Sequence, residues 1–235
     1  SQHPHFFFKN HRRSKTFNRW TWTVFAVLTA LSLGRSLNRL RRQRGLASVP
    51  DVLRHIVGHR PLLACDEALA TAPLDSMDPS IQVGFLGPAA TGSLPPALEA
   101  FLDEPGPTVY MGFGSMPAEN PAALFCLAKS AASCVGVRLI VASGWARISG
   151  QGDARCFVVS EVPHPLLFPR MAAVVHHGGA GTTATAARAG VPQILIPCMS
   201  DQYYWARRVE VLGLGPRPIW VSRLNCERLA DALSQ

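Results

Sequence analysis

From Thr108 onward the chain alternates short, almost wholly apolar runs with stretches of helical pattern. Apolar runs fall at residues 108–112, 137–142, 156–159, 172–176 and 193–196. Helical patterns fall at 121–134, near 166–168, at 182–189 and at 202–212, and residues 218–221 and a helix from Asn225 complete the series. A strand exposed on one face alternates polar with apolar residues. These runs do not, so each is buried on both faces, as in a parallel sheet covered by helices. The fold class this predicts is α/β, a Rossmann-like doubly wound parallel sheet. Such sheets bind ligands beyond the carboxyl ends of their strands, so the residues after each strand carry the functional information.

The first part of the chain has a different texture. Residues 1–60 hold 12 Lys and Arg against one acid, Asp51, while residues 61–235 hold 11 basic and 14 acidic groups. Helical patterns span about 21–44 and 49–57, an apolar run at 62–65 reads as a short strand, and turn chemistry fills 71–80. We therefore expect two parts: residues 1–80, a helical remnant plus linker, and residues 81–235, the α/β domain. The basic run from Arg39 to Arg44 reads as a charged helix end. Trp20, Trp22 and Phe25 just before it allow peripheral contact with a membrane surface. No zinc-finger spacing, ribonucleoprotein motif or helix-turn-helix cue accompanies the charge, so nucleic acid is not an expected partner.

At 48% hydrophobic and 16% charged, the 235 residues can bury a sizeable core and do not fit a disordered chain. The longest apolar run, residues 24–33, is far short of the ~20 residues a spanning helix needs. Six cysteines form no C-x-x-C pair and read as reduced, buried thiols in a cytoplasmic setting, soluble or membrane-associated. His55 and His59 have the i, i+4 spacing of a zinc helix without the glutamate that acts as base, so no metal site is expected. The opening Ser1-Gln2-His3 lacks an initiator Met, and the last helical pattern runs into Gln235, so a fragment is expected.

Three loops carry chemistry. After the strand at 108–112 come Gly114 and Ser115, a turn in which backbone and a hydroxyl could approach an anion. After the strand at 172–176 comes His177-Gly178-Gly179-Ala180-Gly181-Thr182-Thr183, running into a helix. A helix N-terminus offers unpaired N–H groups and partial positive charge, and His177 and Thr182 add donors: equipment for a phosphate or diphosphate. No lysine follows, so it is not a Walker loop. It does match G-x-G-x-x-A through Gly179, Gly181 and Ala184, with Asp201 placed where a ribose-binding acid would stand, but it lies several strands later than a dinucleotide fingerprint normally does. After the strand at 193–196 come Asp201 and Gln202, a carboxylate and an amide suited to vicinal sugar hydroxyls, or Asp201 as a simple N-cap.

The run from Val162 and His164 through the His176-His177 glycine loop, then residues 189–192 and Asp201-Gln202, resembles the donor-binding signature of UDP-sugar-dependent glycosyltransferases of the GT-B fold. The nearest branch is that of sterol glucosyltransferases and the enzymes that glycosylate antibiotics. The resemblance implies a C-terminal, nucleotide-sugar-binding half. It places Ser115 with Gly114 near the diphosphate, Trp145 beside the nucleotide, and Val162 and His164 at the uracil. His177, Gly179, Gly181 and Thr182 fall on the diphosphate, and Asp201 and Gln202 on the donor sugar. The plant branch carries Trp where this chain has Glu161 and Glu where it has Thr185.

The resemblance further implies inverting transfer of a hexose from a UDP-sugar, UDP-glucose foremost, to a hydroxyl of a lipid, sterol or other small molecule, with no cofactor besides that co-substrate. The catalytic base belongs to the N-terminal half of such enzymes and matches none of His3, His5 and His11. A non-catalytic nucleotide-sugar-binding module and an NAD-dependent oxidoreductase are the rival readings.

Overall fold

The computed structural model describes residues 14–72, 80–87, 89, 91–114, 116, 119–144 and 152–235. The chain divides into two compact units, Ser1–Leu86 and Gly87–Gln235. In the first, helix α1 (Lys15–Gln43) begins where the Ser14 hydroxyl accepts from the Phe17 N–H at 3.2 Å. That cap starts the helix six residues before the apolar pattern of the sequence does, and Arg41 and Arg42 occupy its last turn, where cations suit the helix dipole. Helix α2 (Val52–Val57) is capped in the same way by Asp51, which accepts from the Arg54 N–H. Strand β1 (Leu62–Leu63) pairs in parallel with β2 (Ile81–Gln82). The Gln82 amide accepts from the Ala72 N–H and donates to the Cys65 and Ala70 carbonyls, so residues 81 and 82 are held by the first unit. The division into units accordingly falls beyond them, after Leu86.

The second unit opens with helix α3 (Pro96–Asp103), which carries Leu98 and Phe101 inward. No periodic pattern in the sequence announces it. Strand β3 (Thr108–Gly112) follows, then α4 (Pro121–Cys134), β4 (Arg138–Ala142), β5 (Cys156–Val159), α5 (His164–Leu167), β6 (Ala173–His176), α6 (Ala180–Arg188), β7 (Gln193–Leu195), α7 (Gln202–Val211) and α8 (Cys226–Leu233). The five strands β3–β7 form one sheet in the order β5-β4-β3-β6-β7, and every pairing is parallel. Residues 218–221, which join the series in the sequence, contribute a single ladder bond, Ile219 N–H to the Leu195 carbonyl at 2.9 Å, before a 3-10 turn at Val221–Arg223.

Both faces of the sheet are covered. Val109, Met111, Leu139, Val141, Val175 and Ile194 pack with Phe125, Ala128, Ala131 and Ala132 of α4 and Leu229 of α8. Their strand neighbours Tyr110, Ile140 and Val174 point the other way, into Leu98 and Phe101 of α3, Leu167 of α5, Phe168, and Ala186 of α6. This period-two division of continuous apolar strands is what a doubly wound sheet requires. Arg138, itself buried, caps α3 from β4. Its guanidinium donates to the Glu104 carbonyl at 2.9 Å and to the Phe101 carbonyl, and lies 3.9 Å from the Phe101 ring centroid. Of the cysteines, Cys65 and Cys156 are buried, whereas Cys126 and Cys134 on α4 are exposed, against the expectation of buried thiols.

Candidate functional site: a glycine-lined cradle at the switch point of the sheet

The chain leaves β3 for β4 and β5 on one side of the sheet, and leaves β6 for β7 on the other. The loops after β3 and β6 therefore diverge, and a crevice opens between two adjacent strand ends, which are in register at Gly112 and His176. The two sequence motifs with most glycine stand on its two sides.

His177 fills the gap. A Cβ placed on Gly114 would lie 3.2 Å from His177 Cε1, and one on Gly179 would lie 2.7 Å from its Nε2. The glycines at 114 and 179 thus make room for an imidazole, not simply for a ligand. Gly181 has nothing among the described residues within 4 Å of its Cβ position. Gly144, after β4, presses on the same loop: a Cβ there would meet the Gly114 carbonyl oxygen at 2.8 Å.

The His177 Nδ1 is buried and has no hydrogen-bond partner among the described residues. Burial pushes the imidazole below its ordinary pKa, and the Asp201 carboxylate pulls it part of the way back up, so the ring is neutral near pH 7. Beside it α6 begins. Its first intrahelical bond runs from the Thr183 N–H to the Gly179 carbonyl at 2.9 Å, which leaves the N–H groups of Ala180, Gly181 and Thr182 without helical acceptors. The Thr183 and Thr185 hydroxyls donate to carbonyls one turn back, at 2.9 and 2.8 Å, while Thr182 stands half-buried at the helix mouth.

The preceding residue, His176, is fully buried. Its Nδ1 accepts from the Gly178 N–H at 3.1 Å, and its Nε2 lies 3.0 Å from Gln193 Oε1. A ring nitrogen that accepts from an amide carries no proton, so the hydrogen is on Nε2 and is donated to Gln193. Burial first of all holds this imidazole neutral, with its pKa down at about 3. Gln193 sits on the neighbouring strand, and its own Nε2 is buried without a partner among the described residues.

Asp201 and Gln202 stand at the start of α7. Asp201 does not cap the helix with its side chain. One carboxylate oxygen accepts from the Trp205 indole N–H at 3.1 Å. Gln202 is buried, and its Oε1 accepts from the Cys198 and Met199 N–H groups at 2.8 and 3.0 Å, so its NH2 is what remains for a ligand. Between them and β7, Ser200 takes a φ of 56°, a left-handed conformation that is rare for a residue with a side chain.

Val162 is half-buried against the α3 side of the core. His164 is committed to the protein: its Nε2 shares a 3.0 Å hydrogen bond with the Tyr110 hydroxyl, and its ring stacks on Phe168 at 4.4 Å and 15°. Burial lowers its pKa to about 4 and raises that of Tyr110. Ser115 and Trp145 lie outside the described residues. The structure thus brings Gly114, His177, Gly179 and the mouth of α6 together, with Asp201 close enough to act electrostatically on His177. Sequence reasoning assigns no role to His176, Gln193 or Trp205. The histidine doublet is the one signal that could have pointed to His176.

The protein is similar to several known ones. The family described as "Erythromycin biosynthesis protein CIII-like, C-terminal domain" matches residues 153–235. A vancomycin aglycone glucosyltransferase of Amycolatopsis orientalis is 45% identical over 183 residues, 77% of this chain and 44% of that protein. A sterol 3-beta-glucosyltransferase of Arabidopsis thaliana is 38% identical over 136 residues, 57% of this chain and 22% of that protein. Among solved structures, the glycotransferase of kitacinnamycin shares the fold with a TM-score of 0.69 over 94% of this chain and 59% of that one, at 18% identity. Glycosyltransferase VinC, solved in complex with DTDP, gives 0.62 over 86% and 49%, at 27% identity. The chain spans about half the length of the first of these relatives, or less. Fold and site together define the C-terminal half of a GT-B glycosyltransferase. The chain is similar to the C-terminal half of UDP-glycosyltransferases, with a vancomycin aglycone glucosyltransferase and a sterol 3-beta-glucosyltransferase among its relatives.

Proposed function

We propose that this chain binds the donor of a hexosyl transfer, a UDP-sugar with UDP-glucose foremost, and that its cradle takes the diphosphate. The observation that carries the reading is the His177 imidazole lodged between Gly114 and Gly179, with a buried nitrogen that has no partner among the described residues, beside the open N-terminus of α6. In the reaction, an acceptor hydroxyl oxygen attacks the anomeric carbon from the face opposite the nucleotide. The bond from that carbon to the β-phosphate oxygen breaks, and inversion results. Charge grows on the departing diphosphate, where helix N–H groups and His177 are already aimed and need no reorganisation. Asp201 and the Gln202 NH2 would bind the sugar hydroxyls. The base that takes the acceptor proton belongs, in this reading, to the acceptor-binding half of the enzyme. The acceptor is a lipid, sterol or other small-molecule alcohol, in keeping with what the relatives' names say of their own.

Calorimetric titration of the chain with UDP, UDP-glucose, dTDP and NADH tests this. UDP-glucose and UDP should bind, with dTDP the arm that reports on the base. NADH binding tighter than UDP would favour the oxidoreductase, and binding without turnover when an acceptor-binding half is supplied would favour an inert module.

A further inference from the structure

We infer that His176 is a positioning residue for the diphosphate-binding turn, and that Gln193 fixes the tautomer it needs for the task. The inference rests on the donor-site reading above, although its physical core is visible without any ligand.

The turn after β6 must do two things at once. It must carry the chain away from the sheet at Gly178, whose φ is +90°, and it must present the next amides and His177 to the crevice. Gly178 has little freedom. A Cβ there would come within 3.1 Å of a Leu195 methyl and 3.2 Å of the Gln202 carbonyl oxygen. Glycine in that conformation is also the residue with most alternatives to lose. What holds it is the side chain two residues earlier: the Gly178 N–H donates to His176 Nδ1 at 3.1 Å. The contact is an i, i+2 side-chain turn of the kind Asn makes with its own backbone.

An imidazole can accept there only as the Nε2–H tautomer. Gln193 enforces this by presenting Oε1 at 3.0 Å to Nε2, although its own amide NH2 is thereby left buried and unpartnered among the described residues. A glutamine kept in the core with one end unsatisfied is explained if its other end is needed. With His176 locked, His177 is the residue that meets the cradle between Gly114 and Gly179. The first histidine sets the loop, and the second would contact the diphosphate.

Three measurements on the full chain test the inference. Imidazole nitrogen NMR of the free protein should show His176 as the neutral Nε2–H tautomer from pH 5 to 8. The Nδ1–H form, or protonation in that range, would overturn the assignment. His176→Leu should expose the Gly178 amide to hydrogen exchange, and His176→Asn, whose Oδ1 can take the place of Nδ1, should restore its protection. Equal exchange in both variants would refute the role.

In titrations, His176→Leu should weaken UDP by about tenfold, the scale of one lost hydrogen bond with its geometry, and leave uridine unchanged. His176→Asn should recover most of the loss. Equal losses for UDP and uridine would mark a merely structural residue. Should His176→Leu not fold, Gln193→Met takes its place, with mixed tautomers and intermediate UDP affinity expected, and wild-type behaviour in both counting against the inference. Should the wild-type chain bind no UDP, the donor-site reading fails, while the NMR and exchange results still decide whether His176 holds the turn.

Discussion

Gly179→Ala tests the geometry of the cradle with the least chemistry changed. The backbone at Gly179 has φ −63° and ψ 141°, which alanine adopts without strain, so the substitution acts through its methyl group alone. As the N-cap of α6 the residue makes no side-chain bond, and replacing glycine by alanine there costs at most ~1 kcal/mol of stability. The methyl, however, would lie 2.7 Å from His177 Nε2, where ordinary contact begins at 3.4 Å, so the ring must retreat by ~0.7 Å. On the other side Gly114 carries no side chain, and the place a Cβ would take there lies 3.2 Å from the ring, so the retreat runs into the space that Gly114 leaves open. The imidazole is therefore displaced toward Gly114 from the place where it would meet the diphosphate, and that bond is weakened or lost.

Hydrogen bonds to charged groups contribute about 1.5–3 kcal/mol, so UDP affinity should fall by roughly 10- to 100-fold. Thermal unfolding should change little. Calorimetry with UDP on a variant whose melting temperature is close to wild type gives the answer. An affinity within twofold of wild type, where His177→Ala does weaken binding, would mean that the ring accommodates the methyl, and the argument from two flanking glycines would fail.

His177→Ala itself should weaken UDP binding by about 1–3 kcal/mol in the same titration, and unchanged affinity would remove His177 from the site. Asp201→Ala should leave UDP binding alone and abolish the additional affinity of UDP-glucose, whereas equal losses for both ligands would contradict the sugar assignment. Acid should destabilise the fold through His164 and His176, whose folded-state pKa values are depressed to about 4 and about 3 from 6.5. Below pH 6.5 the unfolded chain takes up protons that these buried rings refuse, so stability falls by up to ~1.4 kcal/mol per pH unit for each histidine until its folded pKa is reached. Chemical unfolding between pH 7 and 5 should show this slope, and His176→Asn should lessen it.

Much of the α/β domain was legible because its strands are buried on both sides. Burial of that kind writes continuous apolar runs, and the bounds of β3, β5 and α4 coincide with the residues read from the pattern. The α4 helix also carries its own signals, Asn120 as cap and Pro121 in the first turn. Helix α3 also has a proline in its first turn, Pro96, but it has no side-chain cap and shows only Leu98 and Phe101 as buried residues, too few to mark a helix. At the site, the sequence marked where the glycines are but not what they face. That Gly114 and Gly179 both border His177 depends on β3 and β6 being neighbours in the sheet, although β4 and β5 come between them in the chain. The pairing of Gly112 with His176 is a tertiary contact, and no local pattern announces it.

The doublet of histidines shows how one local rule distributes two tasks. Successive side chains of a strand point to opposite faces, so the residues at the end of β6 cannot share an environment. His176 turns inward, where both its nitrogens are engaged and burial keeps it neutral. His177, one position on, enters the crevice with Nδ1 unengaged among the described residues and the Asp201 charge acting on it. Exchange of the two roles would need a shift of the strand by one residue, which would also turn Val174 and Val175 to the wrong faces of the sheet. The apolar register that builds the core is therefore the same register that aims His177, and the position of the site follows from the packing of the sheet beneath it.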